Sequence, residues 1–240
     1  MPYTNHLNAV IAMTMGWMNP QPPLPPQVLE FLSLLGYLDL QTHTLNRLTP
    51  GKLIWYTYCR GQQGIHFTSG LPYSLLDLLS ASHMEHIEPI LLAWILPPGT
   101  TAQQHLWKAT RFAGMISTRR IQQGHRSSCS TTTTHVTSIS NETLVNNILV
   151  SIQQCLEVVT EQSAQFKQTM IYPLVTAAAL GNDLSVTSKN FIRVTIHNLA
   201  SERNHVLYAG ILDVINEFWE GEVATIEDTA RRRNVELCLL

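Results

Sequence analysis

Apolar residues recur at three- and four-residue spacings in one stretch of this chain after another, and prolines and glycines cut those stretches apart before any grows long. That pairing favours one kind of fold: many short helices, each burying one stripe, joined by turns that the prolines fix. His6 to Trp17 aligns Leu7, Val10, Ile11 and Met15. Five prolines between Pro20 and Pro26 then make an extended segment that cannot be helical inside, read as a stiff connector rather than an SH3-type ligand. Gln27 to Leu40 resumes the helical spacing with Val28, Phe31, Leu32, Leu35 and Leu38.

The pattern continues beyond a turn at Thr49-Pro50-Gly51. Leu53 to Cys59 is aromatic enough to pass for a strand, but it stands alone among helical patterns. Pro72 opens a helix through Leu79 with Leu75, Leu76 and Leu79 inward. His83 to Ile95 and Gln103 to Ile116 form two more, separated at Pro97-Pro98-Gly99, the second burying Leu106, Ala109, Ala113 and Ile116. Gln122 to Ser140 has almost no large apolar residue and reads as a Ser/Thr-rich flexible loop. It divides the chain into helical halves at 1–122 and 141–240, with the loop at 123–140. Asn141 to Phe166 is the clearest helix, aligning Leu144, Ile148, Ile152, Cys155, Val159 and Phe166. Pro173 interrupts or opens the next element, Ser188 to Leu199 and His205 to Trp219 follow, and Thr225 with Asp228 caps a last helix running towards Leu240. The expected fold is all-α, an irregular multi-helix domain of nine or ten helices, with no alternating run long enough to build a sheet and no internal repeat.

At 240 residues the chain can bury a substantial core. Charged residues are only 13%, against about 25% in a typical domain, which points to a surface covered in part, either by a partner or by parts of a longer ancestral chain. A formal charge of −2 and a pI near 6.5 argue against an autonomous nucleic-acid binder. Cysteines at 59, 129, 155 and 238 form no CxxC pair, so reduced thiols are expected. The first residues lack the basic start of a signal peptide. The apolar run Ile90 to Leu96 is bounded by Pro89 and Pro97, too short to span a bilayer, so a soluble protein is expected.

Few residues suggest chemistry. His83 and His86, three apart, could share a metal with Glu88 as a third ligand, but HExxH spacing is absent and surface histidines are the simpler reading. Ser69-Gly70 near His66 is too generic for a nucleophile, no G-x-S-x-G elbow occurs, and neither phosphate-binding glycine pattern is present. Glu217, Glu220, Glu222, Glu227 and Asp228 read as a solvated helix end. Arg231-Arg232-Arg233 could contact phosphates or act as a nuclear address, but ion pairs with Glu227 and Asp228 one turn earlier explain it at least as well, and Arg119, Arg120 and Arg126 flank the loop without interleaved aromatics. No catalytic, cofactor-binding or metal-binding residue is expected.

Certain pieces also occur in a telling order: Tyr37-Leu38-Asp39-Leu40 with Thr49-Pro50, Ile54-Trp55 and Tyr58-Cys59; Gly70-Leu71-Pro72 with Ser74 to Leu78; Leu106-Trp107 with Ala109 and Arg111 to Ala113; Tyr172-Pro173-Leu174; Glu217-Phe218-Trp219; and Asp228 to Leu240. In order and wording the chain resembles the fungal-specific transcription factor domain, the helical region that follows a DNA-binding zinc binuclear cluster in fungal regulators. The resemblance implies a regulatory role in the nucleus, no enzymatic residues, and protein partners such as the transcription machinery or a DNA-binding regulator, with a dimer among the arrangements. The cysteine-rich cluster and its basic linker are not in this sequence, so direct DNA binding is not expected. Two other classes stay open: a small accessory protein or enzyme of a biosynthetic pathway, using a helical pocket and His83, His86 or His105, and a structural or dimerisation module.

Overall fold

A computed structural model describes residues 3–18, 24–126, 139–158, 164–203, 206–221 and 224–239. Among the described residues, 71% are helical, in eleven α-helices of which ten have seven or more residues, so the class is all-α. The first two are α1 (Tyr3–Met18) and α2 (Pro26–Leu38); Leu7 and Ile11 of α1 and Leu32 and Leu35 of α2 are buried. Val10 and Phe31, expected on the same stripes, are exposed, because the buried face of each helix is narrower than the apolar one. The proline-rich connector lies mostly on residues 19–23, outside the described residues; Pro25 precedes α2 as its N-cap.

Residues 54–59 are helical and not a strand: Trp55–Cys59 is a single π-helical turn beside α2. Gly36 makes that approach possible, since a Cβ there would lie 2.8 Å from the backbone nitrogen of Trp55. Next come α3 (Tyr73–Ser80), with Leu75, Leu76 and Leu79 buried as the spacing predicts, and α4 (Ile87–Ala93). Pro72 is the N-cap of α3 rather than its first residue. The helix expected from His83 starts only at Ile87. Proline fits a helix without loss only in its first turn, and Pro89 therefore fixes where α4 begins, leaving residues 81–86 as turns. Pro173 likewise falls in the first turn of a later helix.

The centre is α5 (Thr101–Arg126), a 26-residue helix against which α3, α4, α6 (Asn141–Val158), α7 (Ala164–Thr169) and α8 (Ile171–Ala178) pack. Leu106, Ala109, Ala113 and Ile116 are buried as expected. α5 continues through residues 122–126, where the composition predicts the start of the loop; residues 127–138 lie outside the described residues. The long helix expected from Asn141 to Phe166 is two: α6 ends at Val158 with Leu144, Ile148, Ile152 and Cys155 buried, and α7 starts at Ala164. Val159 and the Phe166 side chain lie outside the described residues.

The remaining helices are α9 (Val186–Arg203), α10 (Val206–Glu220) and α11 (Ile226–Arg232), the last capped by the Thr225 hydroxyl, which accepts from the Asp228 amide at 3.1 Å. α11 stops at Arg232 instead of running to the C-terminus. Beyond it β2 (Leu237–Cys238) pairs antiparallel with β1 (Thr44–Leu45), and the Leu239 amide donates to the His43 carbonyl at 2.9 Å. Glu236 completes this closure: its carboxylate accepts from the Thr4 amide at 2.8 Å, the Thr4 hydroxyl at 2.6 Å and the Leu48 amide at 2.9 Å.

Candidate functional site

The residues that give the sequence its character hold the fold. Asp39 is buried and its carboxylate meets Arg47 at 2.6 Å, the Lys52 amide at 2.8 Å and the Ile54 amide at 3.4 Å, pinning the 47–54 loop under α2. Asp77 accepts from the Trp55 indole at 2.8 Å and the Gly61 amide at 3.0 Å. Trp107 donates to the Gly70 carbonyl at 2.8 Å and Trp219 to the Ala178 carbonyl at 3.0 Å. Each buried indole N–H has found a partner, as a low-dielectric interior demands.

Histidines 43 and 66 are fully buried in an aromatic cluster. His43 stacks on Tyr172 with ring centres 4.2 Å apart and stands edge-on to Tyr37; His66 meets Tyr37, Trp55, Phe67 and Tyr73. Burial lowers the His43 pKa to about 3 and that of His66 to about 4, so both rings are neutral at ordinary pH. Ser69 lies 2.9 Å from Nδ1 of His66, but its hydroxyl also accepts from the Leu71 amide and has no solvent access, so the pair closes a turn. Burial also pushes the thiols of Cys59 and Cys155 up to about 12, keeping them protonated and unreactive.

The other candidate groups are dispersed. His83 and His86 lie on turns, His83 edge-on to Tyr56, and no group of three or more metal-ligating side chains occurs among the described residues. His105 is half-buried on α5, and burial lowers its pKa. The acidic side chains are matched separately: Glu217 with Arg232 and Arg233, Glu220 with Arg193, Asp228 with Arg231, and Glu227 with Arg120 of α5. The arginine run therefore keeps one local pair, Arg231 to Asp228. Arg232 and Arg233 reach α10 instead, because Glu227 is taken by the packing of α11 against α5. Arg119 binds Glu88 and the start of α6. Glu222 and the Arg126 side chain lie outside the described residues.

What does converge is a small pocket where α5, α8, α11 and the β1–β2 ribbon meet. Thr42, Thr44, Ser117, Val175, Thr176 and Leu239 form its buried floor, and Gln41, Arg120, Ile121 and Glu227 its more exposed rim, around a cavity of about 70 Å³. The Thr44 hydroxyl is buried with no hydrogen-bond partner, a state that costs about 1–3 kcal/mol unless something binds there. Ser117 accepts from the Tyr172 hydroxyl at 3.0 Å. Burial lowers the pKa of the Arg120 guanidinium, whose partner Glu227 is about a third exposed. Arg120 and Glu227 appear in the sequence only as parts of two charge runs, and nothing in spacing links them to Thr44 or Ser117. No histidine lines this pocket.

At the surface, the uncharged run Pro89–Pro98 buries Leu91 but leaves Ile90 51%, Leu92 43% and Ile95 86% exposed. No helix among the described residues is long and apolar enough to cross a membrane. Compared with family models, curated proteins and solved structures, the chain matches none.

Proposed function

We propose that this chain is the effector region of a transcription regulator, working in the nucleus through contacts with the transcription machinery or with a separate DNA-binding regulator, on a fungal metabolic or secondary-metabolite gene set. The observation that carries the reading is the exposed apolar segment on α4 and its end. Three large aliphatic side chains in an uncharged run, held outward by one buried anchor, are the composition of a protein-contact surface. The ordered resemblance of the sequence supports it.

Tethering tests it. The full chain fused to an unrelated DNA-binding domain should change transcription of a reporter bearing that domain's site. Ile90→Asp with Ile95→Asp should abolish the change while lowering the melting temperature by only a few degrees, since Ile95 is almost wholly and Ile90 half exposed. Deletion of the gene, with transcripts and metabolites profiled together, should alter a coherent gene set first. An inert fusion, with steady transcripts and one accumulating pathway intermediate in the deletion strain, would overturn the proposal in favour of a pathway enzyme or accessory protein.

A further inference from the structure

We infer that the pocket between α5, α8, α11 and the β1–β2 ribbon binds the carboxylate of a small organic acid. The inference stands apart from the effector-region reading, because it is measured on the isolated chain.

Three of its lining side chains, Arg120, Ser117 and Thr44, have donor capacity to spare. Arg120 gives one N–H to Glu227, and no other described residue takes its remaining N–H groups. Ser117 accepts from Tyr172 and keeps its own proton for another acceptor. Thr44, buried without a partner, has a hydroxyl with the same capacity. A guanidinium sharing one pocket with two hydroxyl donors suits a carboxylate, which accepts through two oxygens at once. A cation would meet Arg120 as a like charge.

The walls set the rest of the ligand. Leu45, Ile121, Val175 and Leu239 add aliphatic surface to the lining, so a short hydrocarbon tail is favoured over a second charged group. At about 70 Å³ the cavity takes a compact molecule of roughly five to eight non-hydrogen atoms. Glu227 competes for Arg120, so the ligand enters by sharing that guanidinium, and its affinity is held down by a neighbouring negative charge.

That competition supplies a test that a merely structural role would not pass. The full chain is titrated with propanoate, butanoate and inorganic phosphate, read by calorimetry and by amide shifts of residues 117–121. Propanoate and butanoate should saturate with one molecule per chain, and phosphate should bind more weakly. Thr44→Val, which keeps shape and loses the hydroxyl, should weaken binding about fivefold. Glu227→Gln keeps a hydrogen-bond acceptor for Arg120 and removes the charge; it should tighten carboxylate binding about threefold. Arg120→Gln should weaken it at least about tenfold. Should Arg120→Gln not fold, Thr44→Val and Glu227→Gln still decide. The proposal is overturned if neither acid shifts the α5 amides, if phosphate binds as well as butanoate, or if Glu227→Gln leaves carboxylate affinity unchanged or lower.

Discussion

Acidification from pH 7 to pH 5 should destabilise this fold well before its carboxylates protonate, through two histidines. His43 and His66 have folded pKa values of about 3 and about 4, against 6.5 for a free ring, because burial disfavours the imidazolium. Above pH 6.5 both rings are neutral in the folded and unfolded chain, and they contribute nothing to pH dependence. Below it the unfolded chain binds a proton on each ring that the folded chain refuses, so stability falls with pH. The fall runs at about 1.4 kcal/mol per pH unit per ring, ending near pH 4 for His66 and near pH 3 for His43. Between pH 7 and 5, allowing for the gradual onset around 6.5, each ring removes about 2 kcal/mol and the two together about 4 kcal/mol. Since a domain's whole stability is about 5–15 kcal/mol, that loss is decisive. Denaturant titrations at pH 7, 6 and 5 measure it, and ring C2–H resonances assign it: two histidines should stay untitrated in the folded protein down to pH 5. His43→Phe should remove about half of the pH dependence, whatever it does at pH 7. The reasoning fails if both buried rings titrate near 6.5, or if the unfolding free energy is flat over this range.

Other perturbations have equally defined outcomes. Asp39→Ala removes one member of a buried ion pair and strands Arg47 and two amides; it should cost about 3–5 kcal/mol in a denaturant titration, with Asp39→Asn between it and wild type. Gly36→Ala forces a methyl against the Trp55 backbone and should cost about 1–3 kcal/mol, seen as a lower melting temperature and altered Trp55 fluorescence. Glu236→Ala releases the first turn of α1 and the Leu48 amide together. It should lower stability by about 1–3 kcal/mol and speed hydrogen exchange through α1 and residues 44–48 more than in α5.

The sequence announces the helices whose stripes are complete and whose ends carry punctuation. α3 follows from Pro72 with Leu75, Leu76 and Leu79, and the buried face of α5 from Leu106 to Ile116, because period and position both agree. Where α4 begins was legible in principle, since Pro89 forbids a helix already under way at Glu85, but the apolar spacing alone masks it. The β1–β2 pairing was not legible: two residues on each side, nearly two hundred positions apart, leave no periodicity. Nor was the burial of His43 and His66, for a histidine's partners are aromatic rings brought by distant segments, Tyr172 among them. The pocket shares that difficulty. Its donors come from β1 and α5, and its counter-charge from α11, so no local motif records it.

Glu236 and the β1–β2 ribbon bear on the order in which the molecule can be made. They join residues 4 and 43–48 to residues 236–239, so closing them sacrifices the freedom of nearly the entire chain for a handful of hydrogen bonds. Such contacts form after the locally connected helices around α5 have collapsed, and during synthesis not before residues 236–239 leave the ribosome. Leu239 belongs to that late-arriving segment and borders the pocket. A nascent or nicked chain can therefore be almost wholly helical and still lack the pocket, which makes occupancy of that cavity a readout of completed folding.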